Sequence, residues 1–193
     1  MASIQQILVE FEILLKKVQA PIYEKLQDGL ASDYVDRLLA ETGINNDELK
    51  KLYAWKNGIS YDSGWKIGDF DFFSFGLFLS LQDSIEHYVT SKSQKIWRSG
   101  LFPIFTNGGG DFILLDTNDK NKTKGMLLLH APSLLLSDKP ESIYDSLNTF
   151  FTTILECYNV GAYKMIEGSI EIDDDLEHDV SKRLNPKSKY WIQ

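Results

Sequence analysis

The chain has 193 residues, of which 43% are hydrophobic, 25% charged and 12% aromatic, a composition typical of one soluble globular domain with a sizeable core. Its formal net charge is −8, and this acidity argues against non-specific binding to the phosphate backbone of nucleic acids. The longest apolar stretches are too short and too interrupted to cross a bilayer, so we expect no membrane segment.

The first third of the chain is predicted to be helical. Apolar residues in the segment 4–18 recur with a helical period, and no basic stretch precedes them, so we interpret the segment as a helix and not as a signal peptide. Each predicted helix has a local start or stop signal. These signals are Ser3 before residues 4–18, Pro21 in a short second helix, Ser32 and Gly43 around the third, and Asn46 and Asn57–Gly58 around the fourth.

The middle of the chain changes from helical to strand-like patterning. Residues 70–81 are rich in aromatic side chains with scattered alternation, which predicts a strand in two pieces that is bent at Gly76. The amphipathic pattern that follows predicts a helix across the sheet, with Ile85, Tyr88 and Val89 facing inward.

An antiparallel meander is predicted next, from apolar runs at 101–105, 112–116 and 125–131. The three glycines at 108–110, between the first two runs, raise the question of phosphate binding. A dinucleotide-binding fingerprint needs a third glycine where Ile113 stands and then a helix, whereas a strand pattern follows here. We therefore interpret the glycines as a tight hairpin turn, because glycine adopts positive φ angles at little energetic cost.

The last third of the chain contains its strongest helical pattern, over residues 142–159, with Tyr144 on its broad apolar face. Residues 169–193 are predicted to hold a short strand and a helix before a tail. Helices, a sheet and further helix predict a single α+β domain over residues 1–193. The expected architecture is a set of N-terminal helices, a central antiparallel or mixed sheet with a meander, and a C-terminal amphipathic helix.

Few residues suit catalysis or metal binding. Cys157 is the sole cysteine, which excludes an internal disulfide and favours a reducing compartment, so we expect a cytoplasmic protein with a buried, unreactive thiol. The histidines are scattered and no H-E-x-x-H motif occurs, so we predict neither a zinc site nor another cofactor. They are His87, His130 and His178.

Two carboxylates beside the glycines, Asp111 and Asp116, are the best candidates for a catalytic pair. They are five residues apart on one strand, so they face opposite sides of the sheet unless a bulge intervenes. Asp111 is better explained by hydrogen bonds to turn amides, and Asp116 by its place at the end of the strand. A hydrolase that uses either residue stays open as the least favoured alternative.

An acidic tract near the C-terminus is the strongest charge feature. Residues 165–181 contain no lysine or arginine and seven acids: Glu167, Glu171, Asp173, Asp174, Asp175, Glu177 and Asp179. A calcium-binding EF-hand loop that starts at Asp173 would require a glycine at His178 and a glutamate at Leu184, so we predict no calcium site. The tract is either a solvated helix start or a binding surface for a basic protein partner.

Tryptophan side chains are the other candidates for a partner surface, since they often anchor interfaces. Trp55, Trp65 and Trp97 are expected in the core. Trp191, in the tail, is left as the candidate anchor near the acidic tract.

The order of the motifs resembles that of the SUKH superfamily, whose founding member is a fungal regulator of cell-wall glucan synthesis. A helix "DELKKLYAWKNGI" precedes aromatic strands, a "SLQDSIEHY" helix, "LFPIFTNGGGDFILLD" and a closing helix. The resemblance covers about residues 32–160, and residues 3–18 and 165–193 extend beyond it. The matching positions are Leu49, Tyr53, Asn57, Gly58, Pro103, Ile104, Gly109, Gly110, Asp111 and Asp116.

This resemblance implies an α+β fold without enzymatic activity, cofactor or metal. Most bacterial relatives are thought to be immunity proteins, each of which binds and neutralises a cognate polymorphic toxin, often a nuclease. The motif residues are then expected to be structural. A basic toxin is expected to meet the acids of residues 173–179, namely Asp173, Asp174, Asp175, Glu177 and Asp179. The alternative is a regulatory scaffold in cell-wall synthesis or signalling, as in the fungal branch.

Overall fold

The computed structural model describes residues 2–60, 71–135 and 137–192 of the chain. Its α-helices are α1 (Ile4–Lys17), α2 (Ser32–Thr42), α3 (Asp47–Trp55), α4 (Leu81–Gln94), α5 (Pro132–Leu135), α6 (Leu147–Val160) and α7 (Asp174–Leu184). Its strands are β1 (Leu26–Asp28), β2 (Lys56–Ile59), β3 (Leu77–Phe78), β4 (Leu101–Thr106), β5 (Phe112–Asp116), β6 (Leu127–His130), β7 (Glu141–Tyr144), β8 (Tyr163–Ile166) and β9 (Ser169–Ile172). Short 3₁₀ turns lie at Pro21–Lys25 and Tyr190–Ile192.

Local capping signals set most of the N-terminal helix boundaries. Ser3 and Gln6 form a capping box at the start of α1, in which each side chain accepts a hydrogen bond from the other residue's backbone N–H. Asn46 caps α3, and Gly43 ends α2 in the left-handed conformation, with φ +78°. These predictions are confirmed. Ser32 is the first residue of α2 and not its cap, because Ala31 already has the extended backbone that precedes a helix.

The fourth predicted helix ends earlier than expected. It stops at Trp55, and Asn57 and Gly58 lie in β2, which pairs with β1. The side chain of Asn57 is engaged by the start of α4 instead of by its own helix, and this contact between distant residues overrides the local stop signal.

An antiparallel sheet forms the centre of the described structure, as predicted. Five strands pair in the order β3-β4-β5-β6-β7, and each neighbouring pair is antiparallel. One face packs against α1 and α6 through a large aromatic core. In that core the ring of Phe11 lies 5.2 Å from those of Phe72 and Phe151. The other face carries a smaller cluster around Trp97 and Leu114.

The aromatic segment at 70–81 is largely not a strand. Phe70 lies outside the described residues, and only Leu77–Phe78 pairs with β4. Phe72 and Phe73 are consecutive and both buried, which a strand with one buried face does not allow. The expected two strand pieces around Gly76 are therefore not found: bends lie at residues 72–75, and Gly76, with φ +53°, directly precedes the short strand β3.

Two residues differ from expectation, Val89 in its exposure and Tyr144 in its secondary structure. Val89 of α4 is 54% exposed, because the buried stripe of that helix runs through Leu81, Ser84 and Tyr88 and places Val89 beside it. Tyr144 is buried, but in strand β7 and not in a helix. The helix of this region starts later because Ser146 forms its capping box.

The C-terminal region forms a β8–β9 hairpin, helix α7 and a tail that returns to the sheet. Trp191 is 8% exposed and donates a hydrogen bond from Nε1 to the Ile143 carbonyl of β7 at 2.7 Å. The expectation of an exposed anchor at Trp191 is therefore wrong. Trp97 is buried and Trp55 half-buried against the core, whereas Trp65 lies outside the described residues.

Candidate functional site

The first motif, made of the matching positions Leu49, Tyr53, Asn57 and Gly58 in α3 and β2, joins this part of the chain to the start of α4. Tyr53 is fully buried, and its hydroxyl is 2.8 Å from Ser84 Oγ in a hydrogen bond. Asn57 Oδ1 accepts a hydrogen bond from the Leu81 N–H at 2.9 Å. Gly58 has φ +69°, and a Cβ atom there would lie 2.4 Å from backbone atoms just before α4. These contacts hold two elements together and leave the motif's polar groups engaged inside the protein.

The three glycines form a hairpin turn that is organised by Asn107. Asn107 Oδ1 accepts hydrogen bonds from the backbone N–H groups of Gly109 and Asp111, at 2.8 and 3.1 Å. Gly108 and Gly110 have φ angles of +73° and +105°, so the prediction of a turn built on glycine is confirmed. The expected partner of the turn amides was Asp111, which instead accepts a hydrogen bond from Asn107 Nδ2 at 2.7 Å.

Asp116 is the centre of a buried polar cluster at the far end of β5. Its side chain is fully buried, and Oδ2 accepts hydrogen bonds from Arg98 Nη2 at 2.7 Å and Thr123 Oγ1 at 2.6 Å. Oδ1 accepts from the Asn118 backbone N–H and from Asn121 Nδ2. Burial acts to raise the pKa of Asp116, but these hydrogen bonds outweigh it and hold the pKa below its ordinary value.

The two aspartates beside the glycines do not share a site. Asp111 lies at the turn before β5, and Asp116 lies at the opposite end of that strand. Five residues of extended chain separate them by about 16 Å. Pro103, in the paired strand β4, is also buried and lies opposite Leu114. The motif residues of this hairpin thus contribute to the sheet and its turns.

The acidic tract runs from the β8–β9 hairpin into α7, and most of its acids lie at the exposed start of that helix. Asp173 caps the helix, since its Oδ1 accepts a hydrogen bond from the Leu176 N–H at 3.1 Å. We define the acidic turn as Asp173, Asp174, Asp175 and Asp179, whose side chains are all exposed. Leu176, in the middle of it, is 39% exposed.

Glu177 does not belong to this surface. It is 5% exposed, and its Oε1 accepts hydrogen bonds from Ser74 Oγ and the Tyr163 hydroxyl, each at 2.5 Å. Burial raises the pKa of Glu177, and the two hydroxyl donors oppose that rise. Glu177 is therefore not part of the exposed acidic surface that the sequence predicts, and its contact with a partner stays a prediction. The apolar Val180, one turn away, marks the inward face of α7 and was the signal that could have shown this.

Two of the remaining candidates for chemistry, Cys157 and His130, are packed inside the protein, whereas His87 and His178 are half-buried. Cys157 is buried, and burial raises the pKa of its thiol to about 12, so the prediction of a buried cysteine is confirmed. His130 is buried with its ring 5.3 Å from that of Trp97, and burial lowers its pKa. Within residues 2–60, 71–135 and 137–192, no group of three or more histidine, cysteine, aspartate or glutamate side chains is placed to hold a metal ion. No helix in those ranges is both long and apolar enough to span a membrane.

A comparison with protein families agrees with the fold and the motifs. The model of the SMI1 / KNR4 family (SUKH-1) matches residues 33–153, from α2 into α6. This range is more than half of the chain and contains both motifs, whereas the acidic turn lies beyond it. No curated protein matches the chain. The chain belongs to the SMI1 / KNR4 family (SUKH-1).

Proposed function

We propose that this protein is a non-enzymatic immunity protein, which binds a cognate basic toxin in the cytoplasm and neutralises it by stoichiometric occlusion. The observation that carries the proposal is the acidic turn: four exposed carboxylates on two turns of a helix that is packed on the core. Membership of the family supports an interaction protein, because the bacterial members that the chain resembles are thought to be immunity proteins.

The structural roles of the motif residues favour binding over catalysis. Tyr53, Asn57 and Asp116 make their hydrogen bonds inside the protein, and Asp111 binds the side chain of its own turn. No two of these residues converge on a shared cleft in the part of the chain that the structure describes. A protein of this kind acts through its surface.

Charge complementarity gives the acidic turn a physical role in association. Residues 165–181 contain no lysine or arginine, so no permanently charged cation lies among the carboxylates along the sequence. Opposite charge on a partner raises the association rate by about 10- to 1,000-fold, and salt screens this effect. Leu176, exposed among the acids, and Ile166 of β8, which is 43% exposed, offer apolar area for burial.

The first test is co-expression with the product of the adjacent upstream gene, scored for rescue of growth and for co-purification. An immunity protein rescues growth and co-purifies with one dominant, tight partner. A regulatory scaffold in cell-wall synthesis or signalling, the alternative, instead binds several partners without rescue. Absence of both rescue and co-purification would refute the immunity role.

The second test measures association kinetics with the co-purified partner at several salt concentrations. A quadruple Asp→Asn variant of the acidic turn retains the helix cap, because asparagine caps as well as aspartate. We expect association about tenfold slower or more, with a flatter salt dependence. The matched control neutralises four exposed acids elsewhere, as E10Q, D33N, E41Q and E86Q. Equal rates for the two variants would contradict the role of the acidic turn.

A further inference from the structure

A cavity of about 750 Å³ opens beside the acidic turn. It lies between the start of α7, the C-terminal 3₁₀ turn, β7 and α5, and its volume is within the range of ligand-binding pockets, about 300–1,000 Å³. Apolar side chains form much of its wall: Phe75, Leu134, Ile143 and Trp191. Leu134 is 63% exposed, so the mouth of the cavity presents apolar surface to a partner.

The buried carboxylate of Glu177 lines this cavity. Both of the hydrogen bonds to that carboxylate are accepted by Oε1, and Oε2 accepts none from the described residues. A cationic group that enters the cavity can therefore hydrogen-bond to Oε2, and hydrogen bonds to an ionised group are stronger than those between neutral groups. Asp174 and Glu141 also line the cavity, so three acidic residues contribute to it.

We propose that the cavity receives an arginine side chain of the partner, with its guanidinium group on Glu177. This inference rests on the proposed function and adds to it the residue type that the partner inserts. Arginine fits better than lysine, because its planar, weakly hydrated guanidinium group forms paired hydrogen bonds and stacks on aromatic rings. Tyr190 and Trp191 supply such rings on one wall, and the apolar wall accommodates the aliphatic part of the side chain.

The cavity and the acidic turn then have different roles. The acidic turn is exposed and attracts a basic partner over a distance, with a strength that salt reduces. Glu177 is buried, so its contact is screened less and determines how slowly the partner leaves. Glu177 and the carboxylates of the acidic turn lie on the same helix, α7, or at its N-cap, within five residues of each other.

The test is an NMR titration of the ¹⁵N-labelled full chain with the peptide acetyl-Gly-Arg-Gly-amide. The control peptide contains citrulline in place of arginine, which has the same shape without the charge. We expect saturable shifts of the Trp191 indole N–H and of the Ser74 and His178 amides, from the arginine peptide alone. Equal shifts with both peptides, or shifts confined to the acidic turn, would overturn the proposal.

Two variants test whether the arginine peptide binds at Glu177. Glu177→Gln keeps an acceptor oxygen for Ser74 and Tyr163, and we expect it to weaken arginine binding by about tenfold, the low end for a hydrogen bond to a charged group. The control variant D175N/D179N removes two exposed charges that do not line the cavity, and it should change binding less than twofold. Equal losses of peptide binding in the two variants would contradict the assignment of the arginine site to Glu177. The comparison of the arginine and citrulline peptides on the wild-type chain tests the same assignment without any variant.

The outcomes separate this inference from the proposed function. If co-expression fails to rescue growth while the arginine peptide still binds at Glu177, the immunity role alone is refuted. If rescue succeeds while arginine and citrulline peptides bind equally, the cavity assignment alone is refuted.

Discussion

Replacing Asp116 by asparagine is the sharpest test of whether the second family motif is structural. The substitution keeps the size of the side chain but removes its charge, and it puts an NH₂ group where only acceptors now stand. Oδ1 and Oδ2 accept four hydrogen bonds, from Arg98, Thr123, Asn118 and Asn121. An amide can accept at only one of these two positions.

The expected loss of stability follows from the burial of the Asp116 carboxylate and its ion pair with Arg98. Removing one partner of a buried ion pair costs about 3–5 kcal/mol. Arg98 is 45% exposed and regains water when the carboxylate is lost, so we lower the expectation to about 2–3 kcal/mol. For a domain of this size the melting temperature should fall by about 4–12 °C.

Urea unfolding at a series of pH values, followed by tryptophan fluorescence, measures this loss. Because the folded pKa of Asp116 lies below its ordinary value of 3.8, the carboxylate stabilises the fold above about pH 4. That contribution is lost as the pH falls through the folded pKa. The difference in the free energy of unfolding between the wild type and Asp116→Asn should then become smaller.

The control is Asp119→Asn in the same loop, where the side chain is 81% exposed and pairs with Lys124. It should change the free energy of unfolding by less than about 0.5 kcal/mol. A loss in the free energy of unfolding below about 0.5 kcal/mol for Asp116→Asn at pH 7 would refute the reasoning. A difference between this variant and the wild type that stays constant down to about pH 3 would also refute it.

Three further predictions concern other buried positions. Gly58→Ala should lower the free energy of unfolding by about 3 kcal/mol, since the new Cβ atom would lie 2.4 Å from backbone atoms. The control is Gly43→Ala. Gly43 has φ +78°, but no atom lies within 4 Å of its Cβ position, so this loss should be only about 1 kcal/mol. Urea unfolding checks the pair, and equal losses would contradict the close approach. Tyr53→Phe should lose about 1 kcal/mol in the same assay, because Ser84 is left without its buried partner. Cys157, whose thiol pKa is raised to about 12, should resist iodoacetamide at pH 8 until urea unfolds the chain, as mass spectrometry can follow. Alkylation of the native chain at the rate of a free thiol would disprove its burial.

Sequence patterns predicted the helices best where the signal is local. Ser3, Asn46 and Gly43 act within one turn of their own position, so their roles could be predicted without knowledge of the fold. Asn57 also carried a local signal, but its side chain binds the Leu81 N–H, 24 positions later in the chain. A contact of that kind is decided by the packing of β2 on α4, which periodicity does not report.

In the candidate site, contacts between distant residues matter more, and local sequence patterns predict less of it. The exposure of Asp173 to Asp175 followed from the density of acids at a helix start. Glu177 has the same charge as these residues, so the sequence predicts the same surface for it. Its position on the inward face of α7 instead separates it from the exposed aspartates. Its donors, Ser74 and Tyr163, are 103 and 14 residues away, and the cavity that it lines is formed by six separate segments. No short pattern in the sequence brings these together.

The C-terminal tail has a consequence for how partners can bind. Ser188 Oγ and the Lys189 N–H both donate to the Ser142 carbonyl of β7, and Trp191 Nε1 donates to the next carbonyl along that strand. An uncovered edge strand accepts a strand from another chain, which is a common route both to peptide recognition and to aggregation. At β7 that route is blocked by the chain's own last residues. A partner that docks on this side therefore meets side chains and not a free row of backbone groups, and selectivity there rests on charge and shape.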